Sequence, residues 1–149
     1  MSADSRLTVT VRSTRDPKEI EAAMDLRIRV FCGEQGVSEE EERDELDDEA
    51  TQIVALDDSG VVATCRLRYL EGGICKLERM AVDGERRERG VGGRLLAGAE
   101  AEAREHGSAE MLLHAQRRAE SFYASNGYVA EGDMFMEAEI EHVRMRKAL

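Results

Sequence analysis

The stretch that decides the reading is Cys75-Lys76-Leu77-Glu78-Arg79-Met80-Ala81-Val82, followed by Arg86-Arg87-Glu88-Arg89-Gly90-Val91-Gly92-Gly93-Arg94-Leu95-Leu96. An apolar, strand-like run passes through a loop of arginines and glycines into a helical pattern. Helix N-termini expose unbonded N–H groups and a partial positive charge. Glycines let the backbone approach a ligand closely, so successive N–H groups can converge on a phosphate. With Arg86, Arg87, Arg89 and Arg94 alongside, the segment suits a pyrophosphate-bearing ligand. It is not a P-loop, because the chain contains no Gly-Lys pair. It is not a dinucleotide fingerprint either: Gly90, Gly92 and Gly93 lie too close together, and the strands before them read as antiparallel.

The rest of the chain is in keeping with one compact unit. Its 149 residues are the size of one domain, and we expect a single domain over 1–149. The formal net charge of −11 argues against nonspecific nucleic-acid binding, which needs positive charge to displace counterions. No apolar run approaches the ~20 residues that span a bilayer. The start, MSADSRLTVT, has neither the basic nor the apolar region of a signal peptide, so a cytoplasmic protein is expected. Cys32, Cys65 and Cys75 are odd in number and form no CxxC pair, which suggests reduced thiols and no metal. His106, His114 and His142 have no ligand spacing.

Residues 7–12 alternate and predict a strand. Asp16-Pro17, with Glu19 in the first turn, starts a helix that runs to about Phe31. The stretch 32–50 reads as irregular or short-helical. Strands at 51–57, 61–70 and 74–82 are expected to form an antiparallel meander, joined by turns at Asp57–Gly60 and Glu71–Gly73. From Gly93 to about His106, Leu95, Leu96, Ala99 and Ala103 share one helical face. A strand at 109–115, a short helix at 117–126 capped by Asn126-Gly127, and a hairpin of 128–136 with 141–147 complete a mixed α+β domain.

Arg87-x-x-Gly90-x-Gly92 resembles the acyl-CoA loop, Q/R-x-x-G-x-G/A, of the GNAT superfamily of N-acetyltransferases. Taken alone, the motif also fits a Gly-rich turn with solvated arginines. Its context is more specific. Phe122-Tyr123-Ala124-Ser125-Asn126-Gly127-Tyr128 resembles the family's YxxxGF/Y signature, and MLLHAQ (111–116) matches the strand between the two motifs. Arg27-x-x-Val30-Phe31-x-x-Glu34-Gln35-x-Val37, KLER at 76–79 and Ile140-x-His142-Val143-x-Met145 are similar to a small prokaryotic subfamily. The resemblance implies a central, mostly antiparallel sheet flanked by helices, and acetyl-CoA as cosubstrate. It implies transfer to a small-molecule or protein amine, and it admits a homodimer.

The same resemblance implies site residues. Arg87, Gly90 and Gly92, with the backbone across Arg87, Glu88, Arg89, Gly90, Val91, Gly92 and Gly93, would hold the CoA pyrophosphate. The backbone of Met80, Ala81 and Val82 would bond the pantetheine and the thioester carbonyl. Tyr123 occupies the position of the family tyrosine near the sulfur, where a phenol can assist the leaving thiolate. Glu78, on the strand beside that site, is a candidate general base; the alternative is an ion pair with Lys76 or Arg79. Phe31, Glu34 and Gln35 come from the region that lines the acceptor pocket, and Arg66 and His142 are within reach of it.

The run Glu39–Glu49 holds nine carboxylates and one arginine. It reads first as a solvated face and second as a negative rim for a cationic acceptor. Two further function classes stay open at this stage: a non-catalytic acyl-CoA-binding module on the same fold, and an acidic interaction domain, which would leave the Arg/Gly loop unexplained.

Overall fold

The computed structural model describes residues 8–38, 45–87 and 89–149. Expectations for residues 39–44, for Glu88 and for the start of the first strand at Leu7 lie outside the described residues. Seven strands form one sheet in the order β1-β2-β3-β4-β5-β7-β6. They are β1 (Thr10–Thr14), β2 (Thr51–Asp57), β3 (Gly60–Leu70), β4 (Ile74–Val82), β5 (Glu110–Gln116), β6 (Val129–Glu137) and β7 (Ile140–Ala148). All neighbours are antiparallel except β4 and β5. This is the mixed α+β architecture expected, with β2, β3 and β4 as the meander.

Helix α1 (Pro17–Arg27) begins as its sequence dictates. The Asp16 carboxylate accepts from the Lys18 N–H at 2.9 Å, and Pro17 fills a position that needs no donor. The expected single helix to Phe31 divides: Arg27 ends the α-helix, and Ile28–Glu34 continue as a π-helix. Wider i→i+5 winding keeps the apolar face turned inward but shifts every later residue around the axis. The first strand is displaced toward 14 from the expected 7–12, because pairing of Thr10 with Leu56 through Thr14 with Gln52 sets its register.

Helix α2 (Val91–Glu105) buries Leu95, Leu96, Ala99 and Ala103, the face read from their spacing, and adds Val91. Gly98 lets this helix lie against β1; a Cβ there would sit 2.3 Å from Val11 Cγ1. Helix α3 (Glu120–Ser125) follows a turn of 3-10 helix at Arg117–Ala119. Its chain leaves through Gly127 at φ +94°, and the Tyr128 N–H donates back to the Tyr123 carbonyl. No helix of the described residues is long and apolar enough to cross a membrane.

Candidate active site

The site begins where β4 stops pairing. Parallel pairs join Ile74–Leu77 to Glu110–Leu113, yet β4 continues to Val82 and β5 to Gln116. Beyond the Leu77–Leu113 pair the two strands have no ladder between them. On its other side β4 carries an extra residue: from the Arg66–Glu78 pair to the Thr64–Ala81 pair, β3 advances two residues and β4 three. Arg79 takes up the difference at φ +56°, in the left-handed region. A bulge of this kind bends a strand and re-aims the side chains after it.

The Arg/Gly loop arrives at this opening. Gly90 caps α2 at φ +83°, a conformation that suits glycine, and being glycine it offers no side-chain cap to the first N–H groups of the helix. A Cβ on Gly92 would lie 3.4 Å from Phe122 Cζ and 3.5 Å from Met80 Cε. A Cβ on Gly93 would meet nothing within 4 Å. Val91 is buried in the core. The Tyr123 phenol donates to Met80 Sδ at 3.4 Å, and burial pushes its pKa above the ordinary tyrosine range. Three segments distant in sequence thus meet: the end of β4, the glycine start of α2, and Phe122-Tyr123. They could hold a diphosphate and a narrow thiol arm, because the start of α2 stands beside the part of β4 that has no ladder with β5.

Arg87 reaches back from the loop. Its Nε donates to the Val82 carbonyl at 3.1 Å, and its Nη1 lies 2.7 Å from Glu34 Oε1. Gln35, the next residue, accepts from Gln116 Nε2 at 2.7 Å. The end of the π-helix therefore touches the loop after β4 on one side and the end of β5 on the other. Phe31 packs with Leu26, Val30 and Ala81 beneath it. Arg89 lies in the turn just before Gly90.

Glu78 is the centre of a cation cage. It lies 3.0 Å from Arg66, 2.7 Å from Arg68 and 3.1 Å from Lys76. Burial acts to raise its pKa, but the Arg68 hydrogen bond and the charges of Lys76 and Arg66 outweigh it and bring the carboxyl down to about 2. A carboxylate that acidic is a poor proton acceptor. The ion pair with Lys76 expected as the alternative is present, with Arg66 and Arg68 joining it. Arg66 is only 1% exposed and also meets Asp47 at 3.1 Å, so it faces carboxylates rather than open acceptor space.

His142 lies on β7 opposite Gln116. Its ring is buried, with Nδ1 donating to the Ile140 carbonyl at 2.7 Å and Nε2 3.6 Å from Glu137. His114 shares Glu137, at 3.2 Å. Among the described residues no cluster of His, Cys, Asp or Glu could hold a metal.

Asp47 was hidden within the acidic run. Burial tends to raise its pKa, yet hydrogen bonds from Arg27, at 2.7 Å, and from Arg66 hold it below the ordinary range. Nothing in the run distinguishes it from its neighbours. The Tyr123–Met80 and Gln35–Gln116 contacts were also beyond sequence reading, since each joins residues far apart in the chain.

Residues 13–149 match the family model described as an acetyltransferase (GNAT) domain. The chain is 37% identical over 134 residues to YjcF of Bacillus subtilis strain 168, recorded as an uncharacterized N-acetyltransferase, covering 89% of this chain and 95% of that protein. An acyl-CoA N-acyltransferase from Pseudomonas aeruginosa superposes with a TM-score of 0.83 at 25% identity, covering 95% of this chain and 100% of that one. The fold is shared further by an aminoglycoside 6'-N-acetyltransferase complexed with coenzyme A, with a TM-score of 0.77 at 17% identity over 93% and 96% of the two chains. The chain belongs to the GNAT family and is an N-acetyltransferase.

Proposed function

We propose that the protein moves the acetyl group of acetyl-CoA to the primary amine of an acceptor, by direct attack in a ternary complex. The observation that carries this reading is the convergence of the unpaired end of β4, the glycine N-terminus of α2 and the Tyr123 phenol. Acetyl-CoA supplies the activated thioester. Arg87, Arg89 and the backbone of Gly90, Val91, Gly92 and Gly93 would take its diphosphate, with Glu88 included on sequence grounds. The backbone of Met80, Ala81 and Val82 would bond the pantetheine arm and the thioester oxygen, where negative charge develops.

Tyr123 acts at the leaving sulfur. Its raised pKa keeps the phenol protonated at neutral pH. Because thiols ordinarily titrate near ~8.5, such a phenol stabilises the departing thiolate by donating a hydrogen bond rather than by giving up its proton. Glu78 orders the β3–β4 surface as an ionised counter-charge, and the amine's proton goes to water. Direct transfer is favoured over a relay through Cys65 or Cys75. Burial pushes the Cys75 thiol up to about 12 and Cys65 higher still, which leaves almost no thiolate to attack. Phe31, Glu34, Gln35 and His142 would form the acceptor side, with Arg66 acting through Glu78 and Asp47.

The test is a CoA-release assay with acetyl-CoA and a panel of primary amines: polyamines, amino sugars, amino acids and peptide N-termini. Amine-dependent release above background hydrolysis supports the reading. Calorimetric binding of acetyl-CoA with no turnover across the panel would favour a non-catalytic binding module.

A further inference from the structure

Glu34 and Gln35 are consecutive, yet they bond to opposite sides of the opening between β4 and β5. Glu34 holds Arg87, in the loop that follows β4, at 2.7 Å. Gln35 holds Gln116, at the end of β5, at 2.7 Å. The two contacts differ in kind. Gln35–Gln116 is a neutral hydrogen bond that a phosphate does not attract. Glu34–Arg87 is an ion pair whose two side chains are each 43% exposed, and its cation is the loop's own arginine. An anion entering the loop competes with the Glu34 carboxylate for that guanidinium. A diphosphate carries more charge and more acceptor oxygens, and so wins the competition.

Gln35, bonded to Gln116 on β5, limits how far the neighbouring Glu34 can move when this happens. The carboxylate is left at the edge of a cleft of about 440 Å3 lined also by Arg29, Asp83, Glu85 and Arg86, where Arg86 is already paired with Asp83. With Glu85 beside it and Arg86 taken up by Asp83, the released Glu34 carboxylate adds negative charge there that attracts an ammonium group.

We propose that Glu34 couples the two substrate sites: it neutralises Arg87 in the empty protein, yields Arg87 to the cofactor's diphosphate, and then binds the cationic head of the amine acceptor. Cofactor binding thereby raises affinity for the acceptor, and by linkage the acceptor raises affinity for the cofactor. The inference rests on the reading of 87–93 as the diphosphate loop.

Coenzyme A is titrated calorimetrically at low salt into the parent, Glu34→Gln, Arg87→Gln and the double variant. All four should fold, since both side chains lie at the surface. Glu34→Gln is expected to bind coenzyme A about threefold tighter, the scale of an exposed ion pair. Arg87→Gln is expected to bind about tenfold weaker. On the Arg87→Gln background, Glu34→Gln should change little. Equal tightening on both backgrounds would reduce Glu34 to a general negative field, and no tightening would remove the competition; either overturns the proposal. Failure of the parent to bind coenzyme A at all would overturn the diphosphate loop and this inference together.

The acceptor half is read separately at saturating acetyl-CoA, with the fastest primary amine of the panel. Glu34→Gln should raise its KM about fivefold, with a smaller change in kcat. An unchanged KM would overturn the acceptor half while leaving the competition for Arg87 standing.

Discussion

The Tyr123 phenol donates a hydrogen bond to the Met80 thioether across 3.4 Å, joining α3 to the strand segment that follows the Arg79 bulge. A sulfur atom is thus already the acceptor of this phenol. Removing the hydroxyl takes away the donor without removing the ring that packs against Phe122 and Tyr128. Tyr123→Phe should lower kcat about 100-fold, the scale of one lost transition-state donor, and leave acetyl-CoA affinity within about threefold. Steady-state kinetics beside a calorimetric titration check both.

Glu78 separates stability from proton transfer. Its carboxyl is held at about 2 against an ordinary 4.5, a shift equivalent to roughly 3 kcal/mol. A depressed carboxyl contributes stability that is fully present above its unfolded value and is lost as pH falls through its folded one. Glu78→Gln should therefore cost roughly 3 kcal/mol in denaturant unfolding at pH 7, and the gap should close between about pH 4.5 and 2. The rising limb of the pH–rate profile should keep its midpoint in the variant. A midpoint that disappears would make Glu78 the base.

Gly90 and Gly92 test the loop in different ways. Gly90 sits at φ +83°, so Gly90→Ala should cost about 1 kcal/mol of stability as well as weakening acetyl-CoA binding. Gly92 has ordinary helical backbone, and its added methyl would sit in ordinary contact with Met80 and Phe122 at 3.4–3.5 Å. Gly92→Ala should leave the unfolding midpoint nearly unchanged and weaken acetyl-CoA several-fold. Paired thermal melts and titrations distinguish the two.

Gly98 concerns the fold alone. A methyl there collides with Val11 at 2.3 Å, so Gly98→Ala should destabilise by about 1–3 kcal/mol. Val11→Ala in the same chain should recover much of that loss. Denaturant midpoints of the two single variants and the double variant measure it.

What the sequence made legible was local. Asp16-Pro17 announces the start of α1, and Leu95, Leu96, Ala99 and Ala103 announce the buried face of α2, because capping and periodicity act within a few residues. The passage from α-helix to π-helix at Ile28 was not legible, since both windings place apolar residues at similar spacing. The bulge at Arg79 had no glycine to mark it. The parting of β4 from β5 depends on how far two strands separated by a whole helix stay in register, which no local pattern encodes. The Arg/Gly loop and Tyr123 were recognisable as motifs, but only the fold set Met80 between them. In the acidic run, Asp47 gained its role from where Arg27 and Arg66 approach it, and charge patterning carries no trace of that.

The most direct measurement of the central claim is mass-spectrometric detection of the acetylated amine after incubation with acetyl-CoA, run in parallel with Tyr123→Phe. The account predicts an N-acetylated product that requires the protein and falls about 100-fold in the variant. Absence of product from every amine class, or a product formed equally by Tyr123→Phe, would contradict it.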